Sequence, residues 1–183
     1  MRRYILTGTP GAGKTTLLAE LARRGYSVTA EAATDVIARR QAAGDPEPWT
    51  RAGFVDEVVT LQRERAATAT APGEVRFHDR SPVCTEALRT FLGRPASPAL
   101  TAELRRIGDE HVYRSEVFFV RNLGFVEPTA ARRISFEDAL TFERLHERAY
   151  RAHGYRLIDV PAAGVAERAD LIEAVLARTA PHR

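Results

Sequence analysis

The chain has a single cysteine, Cys84, so it can form neither an internal disulfide nor a cysteine-based zinc site. That scarcity fits an intracellular, cytoplasmic setting. Long apolar runs are missing as well: none approaches the roughly 20 residues of a membrane span, and no membrane partner is expected. Met1-Arg2-Arg3 precedes only a few apolar residues, far fewer than the about 7 to 15 that form the core of a signal peptide. There is no strong excess of one charge, with 27 Lys and Arg against 24 Asp and Glu. The arginines are scattered and do not form the patch that about 6 to 10 phosphate contacts on a duplex need, so nucleic acid is a minor expectation. His78, His111, His146, His153 and His182 show no two-histidine-plus-acid metal spacing. No internal repeat or low-complexity segment occurs.

What is present begins with Gly8-Thr9-Pro10-Gly11-Ala12-Gly13-Lys14-Thr15, which fills every fixed position of the phosphate-binding pattern G-x-x-x-x-G-K-[ST]. Tyr4-Ile5-Leu6-Thr7 before it is a short apolar strand. After it, Leu17, Leu18, Leu21 and Ala22 recur at helical spacing, with Gly25 as the C-terminal cap. Glycines let such a loop curl until several N–H groups face one anion, and the helix N-terminus adds partial positive charge. The pattern assigns Lys14 to the β- and γ-phosphates of a triphosphate and the Thr15 hydroxyl to Mg²⁺. Thr16 is expected to pack or cap.

The remaining chain alternates strands and helices. Strands are expected over 25–31, 75–80, 116–120 and 155–160, and helices over 32–43, 54–71, 82–92, 100–111, 135–154 and from about 165 onward. Ser81-Pro82 reads as an N-cap with proline at the first helical position, and Ser135-x-x-Asp138 as a capping box. Residues 121–134 have no clear period and read as a mobile lid. At 183 residues the chain suits one domain: a three-layer α/β fold in which a five-stranded parallel sheet is covered by helices on both faces. Ligands in such sheets bind at the carboxyl ends of the strands, which directs attention to Glu31, Asp79 and Arg80.

Asp79 ends the third strand, where its carboxylate could hold Mg²⁺; the alternative is a turn or capping aspartate. Glu31 follows the second strand and could act as general base on an acceptor hydroxyl, or favour the dipole of the next helix. Asp35, one turn on, faces the same side and could contact substrate, but reads first as a solvated helix charge. Arg80 could bind the transferring phosphoryl group or form a structural ion pair. Arg132 and Arg133 could bring a guanidinium to the γ-phosphate as a lid closes, or remain solvated. Trp49 and Phe54 could form an aromatic lip over an acceptor or cover the core. His78 is expected to point to the opposite face from its neighbour Asp79.

The set G-T-P-G-A-G-K-T-T, A-E-A-A after the second strand, H-D-R-S after the third and G-Y-x-L-I-x-V-P at the fifth resembles the AAA-type, NadR-like P-loop ATPase and kinase family along nearly the whole chain. No sensor or second-domain pattern of the hexameric machines is present. The resemblance implies nucleotide contacts from Pro10, Gly11, Ala12, Gly13, Lys14, Thr15 and Thr16. It also implies catalytic or metal roles for Glu31 and Asp79, phosphate or substrate contact for Arg80, and adenine near Pro161, Ala162 and Gly164. ATP and Mg²⁺ are the expected cofactors, and a nucleoside triphosphate with a small-molecule acceptor are the expected partners. The leading expectation is an ATP-dependent phosphotransferase acting on a hydroxyl of a nucleoside-like or specialised metabolite. A regulatory ATPase switch with a protein partner and a polynucleotide 5′-hydroxyl kinase are the alternatives. A Ras-like switch would carry D-x-x-G and N-K-x-D, where this chain has Asp79-Arg80-Ser81-Pro82 and Arg121-Asn122-Leu123-Gly124. The sequence leaves the oligomeric state open, a homodimer included.

Overall fold

A computed structural model describes residues 2–68, 71, 73–123 and 135–179. The expected lid from 124 onward, with Arg132 and Arg133, lies outside them. In chain order the elements are β1 (Arg2–Gly8), α1 (Lys14–Arg23), β2 (Ser27–Thr29), α2 (Ala32–Ala42), a 3-10 turn (Pro48–Thr50) and α3 (Phe54–Ala67). They continue with β3 (Val75–Asp79), α4 (Pro82–Phe91), α5 (Pro98–Asp109), β4 (Glu116–Val120), α6 (Phe136–Ala152), β5 (Arg156–Val160) and α7 (Val165–Thr179). The strands form one sheet in the order β2-β3-β1-β4-β5, with every neighbouring pair parallel.

A parallel sheet must be covered on both sides, which explains why its strands read as continuous apolar runs. Along β1, Tyr4 and Leu6 join Leu17 and Leu21 of α1 and Ile172 of α7, whereas Ile5 between them joins Val83, Ile107, Val117 and Tyr150 on the opposite face. Alternate residues of one strand therefore anchor two separate cores. Each large side chain so buried contributes roughly 1.5–3 kcal/mol. Helix α2 packs on α3 through Val36, Phe54 and Val58, beyond the sheet and beside the carboxyl ends of β2 and β3. Among the described residues, no helix is long and apolar enough to cross a membrane.

Among the described glycines the tightest is Gly8, where β1 passes β4 with φ of 139°. A Cβ built there would lie 2.1 Å from the carbonyl oxygen of Val120, so only glycine fits.

Several local expectations hold. Gly25 follows the C-cap of α1 at φ 94°, with its amide bonded to the Ala22 carbonyl at 3.0 Å. The Ser135 hydroxyl accepts the Asp138 amide at 3.0 Å and opens α6. Others need correction. Ser81 occupies the N-cap position of α4, but its hydroxyl bonds the Tyr150 hydroxyl at 2.8 Å and caps nothing. His111 lies beyond the end of α5, in a left-handed turn at φ 47°. Thr16 is exposed on α1 and does not pack.

Candidate active site

The loop from Gly8 to Gly13 delivers the chain into α1 through a left-handed Gly13 at φ 78°. No side chain caps α1, and its first turn holds no acidic residue. The amides that open the helix are thus left for an anion. Lys14 is buried, with Nζ donating to the Thr9 carbonyl at 2.7 Å and the Gly8 carbonyl at 3.2 Å. Burial, followed by repulsion from Arg80, brings its pKa down to about 8, against the opposing pull of Asp79 and Glu31.

Three charged side chains from the ends of β2 and β3 stand beside this loop. Glu31 occupies the N-cap position of α2, yet its carboxylate caps none of that helix's amides and pairs with Arg80 at 2.7 Å from Nε. That contact is an ion pair, because the Nε–H does not align as a hydrogen bond. Glu31 also accepts the Thr34 hydroxyl at 3.2 Å. Burial pushes the Glu31 carboxyl up, but Arg80 and Lys14 outweigh it and the net shift is downward. The carboxylate is therefore ionised and free to accept a proton or a hydrogen bond.

Arg80 is held at φ 69°, a left-handed conformation uncommon outside glycine, and its amide bonds the Leu6 carbonyl at 3.0 Å. Such backbone persists only where its surroundings over-determine it. Burial works against the Arg80 charge, but Glu31, Cys84 and Asp79 more than compensate, so its pKa rises. Asp79 shifts up, first through burial and further through Glu31, against the pull of Lys14. Its Oδ1 is buried with no hydrogen-bond partner among the described residues. The orphaned Asp79 oxygen and the exposed Thr15 hydroxyl are oxygen donors of the kind Mg²⁺ prefers, so their chemistry fits the expected ion.

A cavity of about 400 Å³ opens from the loop residue Pro10, Glu31 and Arg80. Its walls are Ile37 of α2, Trp49 of the 3-10 turn, Phe54 and Val58 of α3, Leu88 and Phe91 of α4 and Phe142 of α6. Trp49 and Phe54 thus line this cavity and also cover the small core around Val36 and Val58. Asp35 does not line it and pairs instead with Arg65.

A family model described as an AAA domain matches residues 3–168. The chain belongs to the AAA domain family. Its fold is that of the kinase-like P-loop NTPases. The structure of deoxyadenosine kinase from M. mycoides with the products dCMP and a flexible dCDP superimposes with a TM-score of 0.63, 16% identity, 97% of this chain and 100% of that chain covered. The same enzyme with bound dATP gives a TM-score of 0.57 at 17% identity, covering 97% and 100%. Shikimate kinase from Acinetobacter baumannii in complex with shikimate gives 0.56 at 12% identity, covering 98% and 95%. No curated protein matches the sequence.

In this AAA-domain chain, Pro161, Ala162 and Gly164 form the exposed turn between β5 and α7. The Arg168 amide bonds the Gly164 carbonyl at 3.0 Å, and its Nη1 donates to the Ala12 carbonyl at 2.7 Å, tying that turn to the phosphate loop. Arg168 is 4% exposed, and its Nε and Nη2 have no partner among the described residues. Arg121, at the root of the expected lid, holds Glu143 at 2.9 Å, Asp159 at 2.7 Å and also Glu147, and lies 4.5 Å over the Phe119 ring.

Sequence reasoning passed over Arg168 because a charge on an amphipathic helix reads as surface. It also passed over His146, which is fully buried, with Nδ1 on the Phe142 carbonyl at 2.8 Å and Nε2 on Arg80 Nη1 at 3.1 Å. Cys84 joins a buried network, its Sγ 3.0 Å from the Thr7 hydroxyl and 2.9 Å from the Tyr150 hydroxyl. The only sequence signal for these contacts was polar residues at apolar helix positions. His78 behaves as expected, turning from Asp79 to stack edge-on against Tyr113 with centroids 5.2 Å apart.

Proposed function

We propose that the chain transfers the γ-phosphoryl group of ATP to a hydroxyl of a small molecule held in the 400 Å³ cavity. The observation that carries this reading is that one cavity is lined by both Glu31 and Arg80 at its phosphate-loop end and by apolar side chains over the rest of its wall. A hydrolysing switch needs no such second compartment. The loop amides and Lys14 bind the triphosphate, with the base near Pro161 to Gly164. Thr15 and Asp79 would hold Mg²⁺, which would supply positive charge to offset that of the phosphates.

Ionised Glu31 accepts the hydrogen bond of the acceptor hydroxyl and takes its proton as the oxygen attacks phosphorus. Arg80 keeps Glu31 in place and presents its guanidinium to the transferring group. Alignment of the two substrates supplies much of the acceleration, on the order of 7–11 kcal/mol for well-oriented reactants. Arg132 and Arg133 are candidates for an added positive charge from the lid.

The test is an ATP-consumption screen over nucleosides and hydroxylated metabolites, with Lys14→Ala as control. Glu31→Gln is expected to lower acceptor phosphorylation about a hundredfold while ATP still binds. Turnover independent of any acceptor would instead favour the regulatory ATPase.

A further inference from the structure

One wall of the cavity stands on chain that does little to shape itself. Between α2 and α3, Pro46 and Pro48 have no amide to donate, and the only regular structure is the three-residue turn Pro48–Thr50. Trp49 sits half-buried in that turn, packed against the Val36–Val58 core and lining the cavity. Carbonyls at the end of so short a helix find few partners within it.

Those carbonyls are collected from a distance. Arg94 Nη1 donates to the Arg51 carbonyl at 2.9 Å, and its Nη2 donates to the Thr50 carbonyl at 2.6 Å and the Trp49 carbonyl at 3.1 Å, across 43 to 45 residues of chain. A planar fork with several fixed donors suits three successive carbonyls, whereas a compact ammonium does not.

Arg94 is itself fixed to the end of α4. Gly93, left-handed at φ 65°, bonds the Thr90 carbonyl at 3.0 Å, and the Arg94 amide bonds the Arg89 carbonyl at 2.9 Å, the pair of bonds that stops a helix on a glycine. The Arg94 carbonyl in turn accepts Arg89 Nη1 at 3.0 Å. Because α4 supplies Leu88 and Phe91 to the cavity, this one side chain ties the α4 wall to the Trp49 wall without lining the space itself.

We propose that Arg94 is a positioning residue that straps the Trp49 turn to the end of α4 and so fixes the spacing of the two walls that grip the acceptor. The proposal rests on the phosphotransferase reading only in calling the occupant an acceptor. The strap belongs to the cavity whatever fills it.

Trp49 is the chain's only tryptophan, so its fluorescence reports the strap without any ligand. In Arg94→Ala the emission is expected to move to the red and acrylamide to quench it more readily, with Arg94→Lys lying between that variant and the parent, while circular dichroism stays that of the parent. Retention is read by ligand-observed NMR with phenylethanol as the probe, in the presence of Mg²⁺ and a non-hydrolysable ATP analogue. Arg94→Ala is expected to weaken phenylethanol binding about tenfold and to change the affinity for the ATP analogue by less than about twofold. In a Trp49→Ala background, Arg94→Ala should cost little more, because the guanidinium acts through the tryptophan. Unchanged Trp49 emission, additive losses in the double variant, an equal loss of ATP-analogue affinity, or no binding of phenylethanol to the parent overturns the proposal. If Arg94→Ala does not fold, Arg94→Lys carries the same comparisons. Phosphorylation is scored separately. Strap-dependent binding with no alcohol ever phosphorylated defeats the phosphotransferase reading alone, whereas phosphoryl transfer whose acceptor KM is indifferent to Arg94→Ala defeats this one alone.

Discussion

Arg80 Nη1 meets His146 Nε2 at 3.1 Å, across 66 residues of chain. The Phe142 carbonyl can only accept, so His146 must carry its proton on Nδ1, leaving Nε2 as the acceptor for Arg80. Burial, and then Arg80 itself, keep the imidazole neutral by lowering its pKa well below the ordinary value. The histidine therefore acts as a fixed acceptor that aims the guanidinium. His146→Leu is expected to lower kcat for acceptor phosphorylation about tenfold while ATP affinity changes little, and His146→Gln should recover part of the loss. A loss of ATP affinity equal to the loss of kcat would instead assign His146 to the fold.

On the proposed reading, Lys14 gives nucleotide binding a pH dependence. Its pKa of about 8 in the free protein lies below the ordinary lysine value of 10.5, so it loses its proton as pH rises through 8. A bound triphosphate favours the charged form and draws the proton back. ATP binding is therefore expected to take up protons at pH 8 to 9, where the neutral fraction of Lys14 in the free protein climbs from about half to about nine-tenths, and to weaken as pH rises. Calorimetry in buffers of different ionisation enthalpy measures that uptake, and Lys14→Ala should abolish it.

Arg168 should matter to nucleotide binding although it lies on the last helix. Its bond to the Ala12 carbonyl braces the loop, and its buried charge sits against Gly13, whose Cβ would come 3.4 Å from Nη1. Arg168→Leu is expected to weaken ATP binding about tenfold in titration calorimetry while the protein stays folded by circular dichroism.

His78 sets an acid limit on stability. Burial, and then Arg3 and Arg76, lower its pKa from 6.5 to about 3. The unfolded chain therefore binds a proton that the folded one refuses between those values. The stability this supports is complete above pH 6.5 and falls as pH drops toward 3, by about 1.4 kcal/mol per pH unit. Urea unfolding from pH 7 to pH 5 should show a shallower slope for His78→Phe than for the parent.

Features written in adjacent residues were legible from the sequence. The phosphate loop, the Gly25 cap and the Ser135 cap each depend on a few positions along one turn of chain, and their types follow directly from backbone geometry. The run Tyr4-Ile5-Leu6 announced a strand covered on both faces for the same reason. Strand order was not legible, because pairing β1 with both β3 and β4 depends on contacts distant in sequence. Ser81 shows where local reasoning fails: it stands at a cap position, but the Tyr150 hydroxyl, 69 residues away, takes its oxygen. Glu31 and Arg80 were each legible as strand-end charges, but their 2.7 Å pairing was not, since either could have faced solvent.

The tight passage of Gly8 beneath Val120 couples the nucleotide site to the architecture. At this position, loss of binding and loss of the β1–β4 seam are a single event. A descendant that abandoned catalysis could shed Lys14 or Thr15 and remain whole, but it would still have to keep the glycine. In this lineage that residue should outlast the activity it first served.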